Sequence, residues 1–198
     1  MRGRSKSTST TNSKRRTAEP GGGGILVARL PVLTTLPALM SSILPSRPRV
    51  FGQRRSIAIV SSQYNAEFVA GLVEHCRQEL LAISNLFTVT TYEVPGAFEI
   101  PLIVDEVALR GGVDAIIALG VIIEGETAHA SLIGQAVTES LQRIALNRHL
   151  PVIHEVLLLK NAEQARARCL SDEINRGTEA ARVAARMLVV LNELRSAR

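Results

Sequence analysis

The stretch ALGVIIEGETAHASL, Ala118 to Leu132, holds residues that can do chemistry. Gly125, Glu126, Thr127 and His129 lie where an apolar strand gives way to a helix. Gly125 permits an unusual backbone angle. Thr127 suits the N-cap of the helix that follows. Free N–H groups at such a helix start favour an anion, most often a phosphate. Beside a bound phosphate, the imidazole of His129 could accept and return protons. On spacing alone, a capping or surface histidine is the plainer reading. No Lys follows the glycine, so a P-loop and a nucleoside triphosphate are disfavoured.

Two further segments pair reactive types with turns. In SSQYN, residues 61–65, Tyr64 can lay a flat ring on a planar ligand, or simply pack on the end of the sheet. In VPGAFEIP, residues 94–101, Pro95 and Gly96 make a tight turn and expose the amides of Ala97 and Phe98. Glu99 then falls in the first turn of a helix, where a carboxylate suits the dipole. Amides that donate, a carboxylate that accepts and a ring that excludes water also make a cradle for a polyhydroxylated group. Later come His154 within a strand and Arg166 and Arg168 in NAEQARARC. Those arginines face different ways on a helix, and one could grip a phosphate in bidentate fashion. A solvated helix face is the plainer reading of Arg166.

These residues need a scaffold, and the hydrophobic pattern supplies one. Strands are expected at 56–62, 86–94, 114–123 and 150–159, where short apolar runs are rich in β-branched residues. Between them, helices are expected at 64–83, 99–112, 127–147, 161–169 and 176–195. Pro101 opens the second of these, and Gly111 and Gly112 close it. Strands alternating with helices at this spacing imply right-handed βαβ units. The expected fold is a three-layer, flavodoxin-like α/β domain with a four-stranded parallel sheet flanked by helices. Ligands in such sheets bind beyond the carboxyl ends of the strands, where Tyr64, Glu99 and His129 lie.

Composition narrows the class. The chain has 198 residues and is 46% apolar, yet it has four Phe, two Tyr and no Trp, so the core must be aliphatic. Cys76 and Cys169 make neither a disulfide framework nor a metal-ligand set, and a reduced, cytoplasmic setting is expected. The net charge of +5 conceals two opposed regions. Residues 1–55 hold eleven Lys/Arg against the single acid Glu19, while the remaining 143 residues hold twelve basic and seventeen acidic side chains. The body is acidic, so nucleic-acid binding is disfavoured except through the basic tail. Residues 1–24 have no apolar face and are expected to be disordered. Residues 25–45 are apolar but broken by Arg29, Pro31 and Pro37, which makes a poor membrane span. A targeting peptide, or translation starting at Met40, are alternatives to the favoured reading of a dispensable tail. The division is therefore a basic extension over 1–54, expected to be disordered, and a folded domain over 55–198.

VPGAFEIP, ALGVIIEGETAH, PVIHEVLLLKNAEQARARC and NRGTEAA, in that order and spacing, resemble the lumazine synthase family of riboflavin biosynthesis. The resemblance runs from about Ser56 to Met187. It implies condensation of 5-amino-6-(D-ribitylamino)uracil with 3,4-dihydroxy-2-butanone 4-phosphate, without metal or organic cofactor. By that resemblance Tyr64 stacks on the pyrimidine, Ala97, Phe98 and Glu99 serve the ribityl side, and Val121, Ile122 and Ile123 line the pyrimidine pocket. Glu126 and Thr127 match the phosphate loop, His129 the acid/base, and Arg168 the phosphate-binding arginine. Arg176 and Glu179 fall where the family often has Lys and Glu. The resemblance further implies a site between two subunits of a pentamer, with His154 and Arg168 coming from the neighbour.

Departures from the family pattern bear on rate. Ala130 and Ser131 replace an aromatic and an acid after His129, Glu124 replaces a basic residue, and Cys169-Leu170 replace Ala-Gly. His154 replaces a common Phe, so one pocket wall is expected to be more polar. A lumazine- or flavin-binding paralogue with little turnover, or a shell protein whose tail recruits cargo, are the alternatives to an enzyme. The family forms pentamers, decamers and icosahedral shells. Pro45 and Pro48 stand where an N-terminal strand would pair with a neighbour, and a proline there removes a ladder donor. The pentamer is the expected minimum unit.

Overall fold

The two central strands, residues 55–62 and 115–123, are apolar runs that a parallel sheet can bury on both faces. The structure, a computed structural model, describes residues 44–50, 52 and 54–197. The expectations of disorder, targeting or a late start fall mainly on residues 1–43, which lie outside the described residues. From residue 55 the elements are β1 (Arg55–Ser62), α1 (Ala66–Ile83), β2 (Phe87–Val94), a 3-10 turn (Ala97–Glu99), α2 (Ile100–Arg110), β3 (Ala115–Ile123), α3 (His129–Arg148), β4 (Val152–Leu159), α4 (Ala162–Cys169) and α5 (Arg176–Ser196). The four strands are all parallel, in the order β2-β1-β3-β4. This is the expected three-layer, flavodoxin-like α/β fold.

The period of two along each strand separates two cores. Ile57 and Ile59 of β1 and Ile117 and Leu119 of β3 face one side, against Leu72, Cys76 and Leu80 of α1 and Ala180, Ala184 and Leu188 of α5. Ala58, Val60, Ile116 and Ala118 face the other, against Ile100 and Val104 of α2 and Val137 and Leu141 of α3. Alanines on α5 let it approach closely. Its first turn touches α1, and a Cβ on Gly177 would lie 2.1 Å from the carbonyl oxygen of Leu72.

Helix starts differ from the sequence expectation in instructive ways. α2 begins at Ile100 rather than Glu99, because a 3-10 turn comes first. The Glu99 carboxylate folds back there to accept the Gly96 N–H at 3.0 Å. α3 is regular from His129, two residues later than expected, although Thr127 Oγ1 still accepts the His129 N–H at 3.4 Å. α4 and α5 carry side-chain caps instead: Asn161 Oδ1 accepts from Gln164 and Asn175 Oδ1 from Gly177.

Residues 44–50 form no strand and run against α1 and α5. Glu79 of α1 is buried and accepts from both Arg47 (2.8 and 2.9 Å) and Arg182 (2.8 Å), while Arg182 also donates to the Pro45 carbonyl at 2.8 Å. Cys76 and Cys169 are free and buried. Among the described residues, no helix is long and apolar enough to cross a membrane.

Candidate active site

Three strands end at one rim, and their following residues enclose a cavity of about 690 Å3. That is ample for a small-molecule ligand, since such pockets span roughly 300–1,000 Å3. Tyr64 follows β1 and is 69% exposed, its ring unburied by the chain's own residues. Ala97, Phe98 and Glu99 follow β2; Ala97 is buried, and Phe98 stands out at 62% exposed. Val121, Ile122 and Ile123 end β3 and form an apolar floor. His129, exposed on the first turn of α3, completes the lining. Eight residues singled out from the sequence thus share one cavity.

Five others do not line it. Glu126 and Thr127 are exposed in the connection between β3 and α3, beside the mouth rather than in the wall. Arg168 is in the last turn of α4. Arg176 opens α5 and pairs with Glu179 three residues on. His154 lies on β4, its ring turned to Thr138 of α3 at 2.8 Å. In a single chain these groups are not brought to the pocket.

Some lining residues carry no mark in the motifs. Asn65 holds a left-handed backbone, φ 58°, and its Nδ2 donates to the Val121 carbonyl at 2.7 Å. It thereby ties the turn between β1 and α1 to the floor on β3. Asn is among the few residues that tolerate this conformation, so an Asn directly before a helix was a usable signal. Leu132, Ile133 and Ala136 also line the cavity. With His129 they fall at i, i+3, i+4 and i+7, one helical face, which the sequence does display.

The charges around the sheet are arranged unevenly. Burial pushes the Glu155 carboxyl on β4 up to about 7, with Glu179 adding to the rise and Arg176 opposing it. Burial also lowers the His154 imidazole below the ordinary histidine range. A second hollow of about 770 Å3 lies between the ends of α3 and α5 and the start of β4. Its lining is mostly apolar, and it sits at the amino end of β4, away from the rim where such sheets bind ligands. Among the described residues, no group of three or more His, Cys, Asp or Glu side chains could hold a metal ion.

Fold and rim together define a flavodoxin-like α/β protein with a cavity at the carboxyl ends of its strands. The family model described as 6,7-dimethyl-8-ribityllumazine synthase matches residues 54–192. A protein of that name from Polaromonas sp. (strain JS666 / ATCC BAA-500) is 37% identical over 150 residues, covering 75% of this chain and 95% of the relative. Another so named, from Burkholderia vietnamiensis (strain G4 / LMG 22486), is 40% identical over 143 residues, covering 71% of this chain and 82% of the relative. The chain belongs to the 6,7-dimethyl-8-ribityllumazine synthase family.

Proposed function

We propose that the protein condenses 5-amino-6-(D-ribitylamino)uracil with 3,4-dihydroxy-2-butanone 4-phosphate, giving 6,7-dimethyl-8-ribityllumazine, phosphate and water. This is the penultimate step of riboflavin biosynthesis. The observation that carries the reading is the single cavity shared by Tyr64, Phe98, Glu99, Val121, Ile122, Ile123 and His129. An aromatic, an apolar floor, a carboxylate and an imidazole are the set that a planar ring with a polyol arm requires.

In this reading the pyrimidine lies on the β3 floor beside Tyr64, and the ribityl arm meets Glu99 and the amides of Ala97 and Phe98. The substrate amine attacks the ketone to form an imine. His129 takes and returns the protons that accompany phosphate departure and ring closure. Much of the acceleration comes from holding two substrates together. The departing phosphate needs a fixed cation beside Glu126, Thr127 and the start of α3. Arg168 is that cation in this reading, supplied with His154 by a neighbouring copy in a pentamer, and Arg176 is a further substrate-binding residue. The catalytic domain is then 55–198, the first 54 residues are dispensable for turnover, and two buried free thiols suit the cytoplasm.

The test is formation of the lumazine, followed by its absorbance, from both substrates with the full purified chain. Product well above the spontaneous background supports the reading. Background-level product from a folded chain that still binds the lumazine would favour a non-catalytic paralogue instead.

A further inference from the structure

His154 has both ring nitrogens engaged within its own chain. The carbonyls of Pro151 and Leu159 accept from Ile116 and Glu124 on the β3 side. Odd positions of β4 therefore turn their backbone groups toward β3, and even positions turn theirs to the open edge. Val156 is even, and its outward N–H donates to His154 Nδ1 at 3.0 Å. On the other side of the ring, Nε2 lies 2.8 Å from Thr138 Oγ1, which lies 2.8 Å from the Gly134 carbonyl. A carbonyl only accepts, so the one Thr138 hydroxyl proton goes to Gly134. Thr138 must then accept from His154, which puts the imidazole proton on Nε2. Nδ1 keeps its lone pair for Val156. Every proton in the chain of contacts is assigned by these partners.

We propose that His154 is a positioning residue for the reaction: held in its Nε2–H tautomer, it clamps the open edge of β4 to α3 and so sets the pocket wall that α3 carries. Among the described residues, His154 to Thr138 is the one side-chain hydrogen bond that joins α3 to the sheet. α3 otherwise rests on apolar contacts, with Gly134 packed close to Leu158. Thr138 stands two residues beyond Ala136, which lines the cavity along with Ile133, Leu132 and His129. A slip of α3 along β4 would move all four. The clamp also changes what His154 offers to a neighbour's site. With both nitrogens taken, it presents ring carbons, and the wall is less polar than a histidine in the sequence implies.

The clamp works with a neutral ring only. Protonation at Nδ1 would set one N–H against another and release Val156. Burial already favours the neutral form. The other titratable or charged groups lining the same hollow are His149 at the end of α3 and Arg195 of α5, and Glu155 projects to the opposite face of the sheet.

The inference rests on the reaction proposed above, and the experiment separates the two. In the full chain, Thr138→Val removes the hydroxyl at constant volume, and Thr138→Ser restores it. His154→Gln keeps a donor near Nε2, whereas His154→Asn keeps only the acceptor for Val156. We expect Thr138→Val and His154→Asn to lower kcat/KM about tenfold through misplacement of the wall, with Thr138→Ser near wild type and His154→Gln losing less than His154→Asn. The acidic limb of the wild-type pH profile should follow His154 ionisation measured by imidazole 15N NMR, and Thr138→Val should flatten it. An Nδ1–H tautomer in that spectrum would overturn the clamp. So would a Thr138→Val protein with a lower Tm but unchanged kcat/KM and pH profile. A wild type without turnover would sink the reaction itself, and the spectrum would still decide the clamp.

Discussion

Gly96 and Glu99 close on each other: the Glu99 Oε2 accepts the Gly96 N–H at 3.0 Å, and a Cβ on Gly96 would lie only 2.9 Å from that oxygen and 3.0 Å from the Tyr64 ring. One missing side chain therefore makes room for both the carboxylate and the aromatic. Gly96→Ala should displace them together without disturbing the buried layers. The expected result is a KM for the pyrimidine substrate raised about tenfold, which is roughly 1.4 kcal/mol of lost binding, with Tm close to wild type. Steady-state kinetics on each substrate in turn checks this, and an effect confined to the sugar phosphate would contradict the placement of Tyr64 and Glu99.

His129 is exposed on the first turn of α3, so His129→Ala should leave the fold intact. Turnover should fall roughly 10- to 100-fold, at the low end of general acid–base effects because proximity supplies much of the rate. Unchanged turnover would remove His129 from the mechanism.

Arg168 lies outside the cavity of its own chain. Arg168→Ala should chiefly raise the KM for the phosphate substrate. Co-expression with His129→Ala tests where the arginine acts. If sites form between copies, mixed oligomers contain some sites with both residues and regain activity that neither variant has alone. No recovery would place both residues in one chain's site.

Glu155 gives a pH dependence of known sign. Its folded value of about 7 stands above the ordinary 4.5, so the folded chain holds the proton more tightly than the unfolded one. Its contribution is favourable at acid pH and is lost as pH rises from about 4.5 through 7. Glu155→Gln should flatten that fall, which denaturant unfolding at pH 5 and pH 8 would reveal. An equal pH slope in wild type and variant would show that another group is responsible.

Glu79 runs the other way. The Arg47 guanidinium, with Arg182 beside it, holds the carboxyl at about 2 against the opposing effect of burial. Its stabilisation is present above the ordinary 4.5 and is lost as pH falls toward 2. Glu79→Gln should cost about 2 kcal/mol at pH 7, since it leaves two guanidinium groups facing a neutral amide, and much less at pH 2. Limited proteolysis should then cut more readily in residues 44–50.

Much of this architecture was legible before any coordinates. Short β-branched runs such as SIAIVSS can only be buried strands, and their spacing with helices leaves few topologies. The rule that ligands sit at strand ends led to Tyr64, Glu99 and His129 for a physical reason. Helix starts were harder, because a 3-10 turn over 97–99 and the late regularity of α3 depend on where one side-chain oxygen points. Asn65 escaped because its task, holding the Val121 carbonyl, exists only once β1 and β3 pair. The His129, Leu132, Ile133, Ala136 stripe was visible at helical spacing but reads like any core-facing stripe. His154 shows the opposite case: its residue type implied a polar wall, and only the positions of Thr138 and Val156 reveal that its polarity is satisfied internally.

The order β2-β1-β3-β4 makes the pocket a property of three strand ends that are distant in sequence. Tyr64, Phe98 and Ile123 meet only after β1 has paired on both sides, so no separate half of the sheet owns a binding site. A ligand that occupies this rim can therefore bind only the finished sheet, and by mass action it becomes a counterweight to unfolding. At a hundred times its dissociation constant it would add about 2.7 kcal/mol to the stability of the native state. Substrate supply and protein lifetime are in that way joined: a chain starved of its ligand is the same chain held less firmly in its fold.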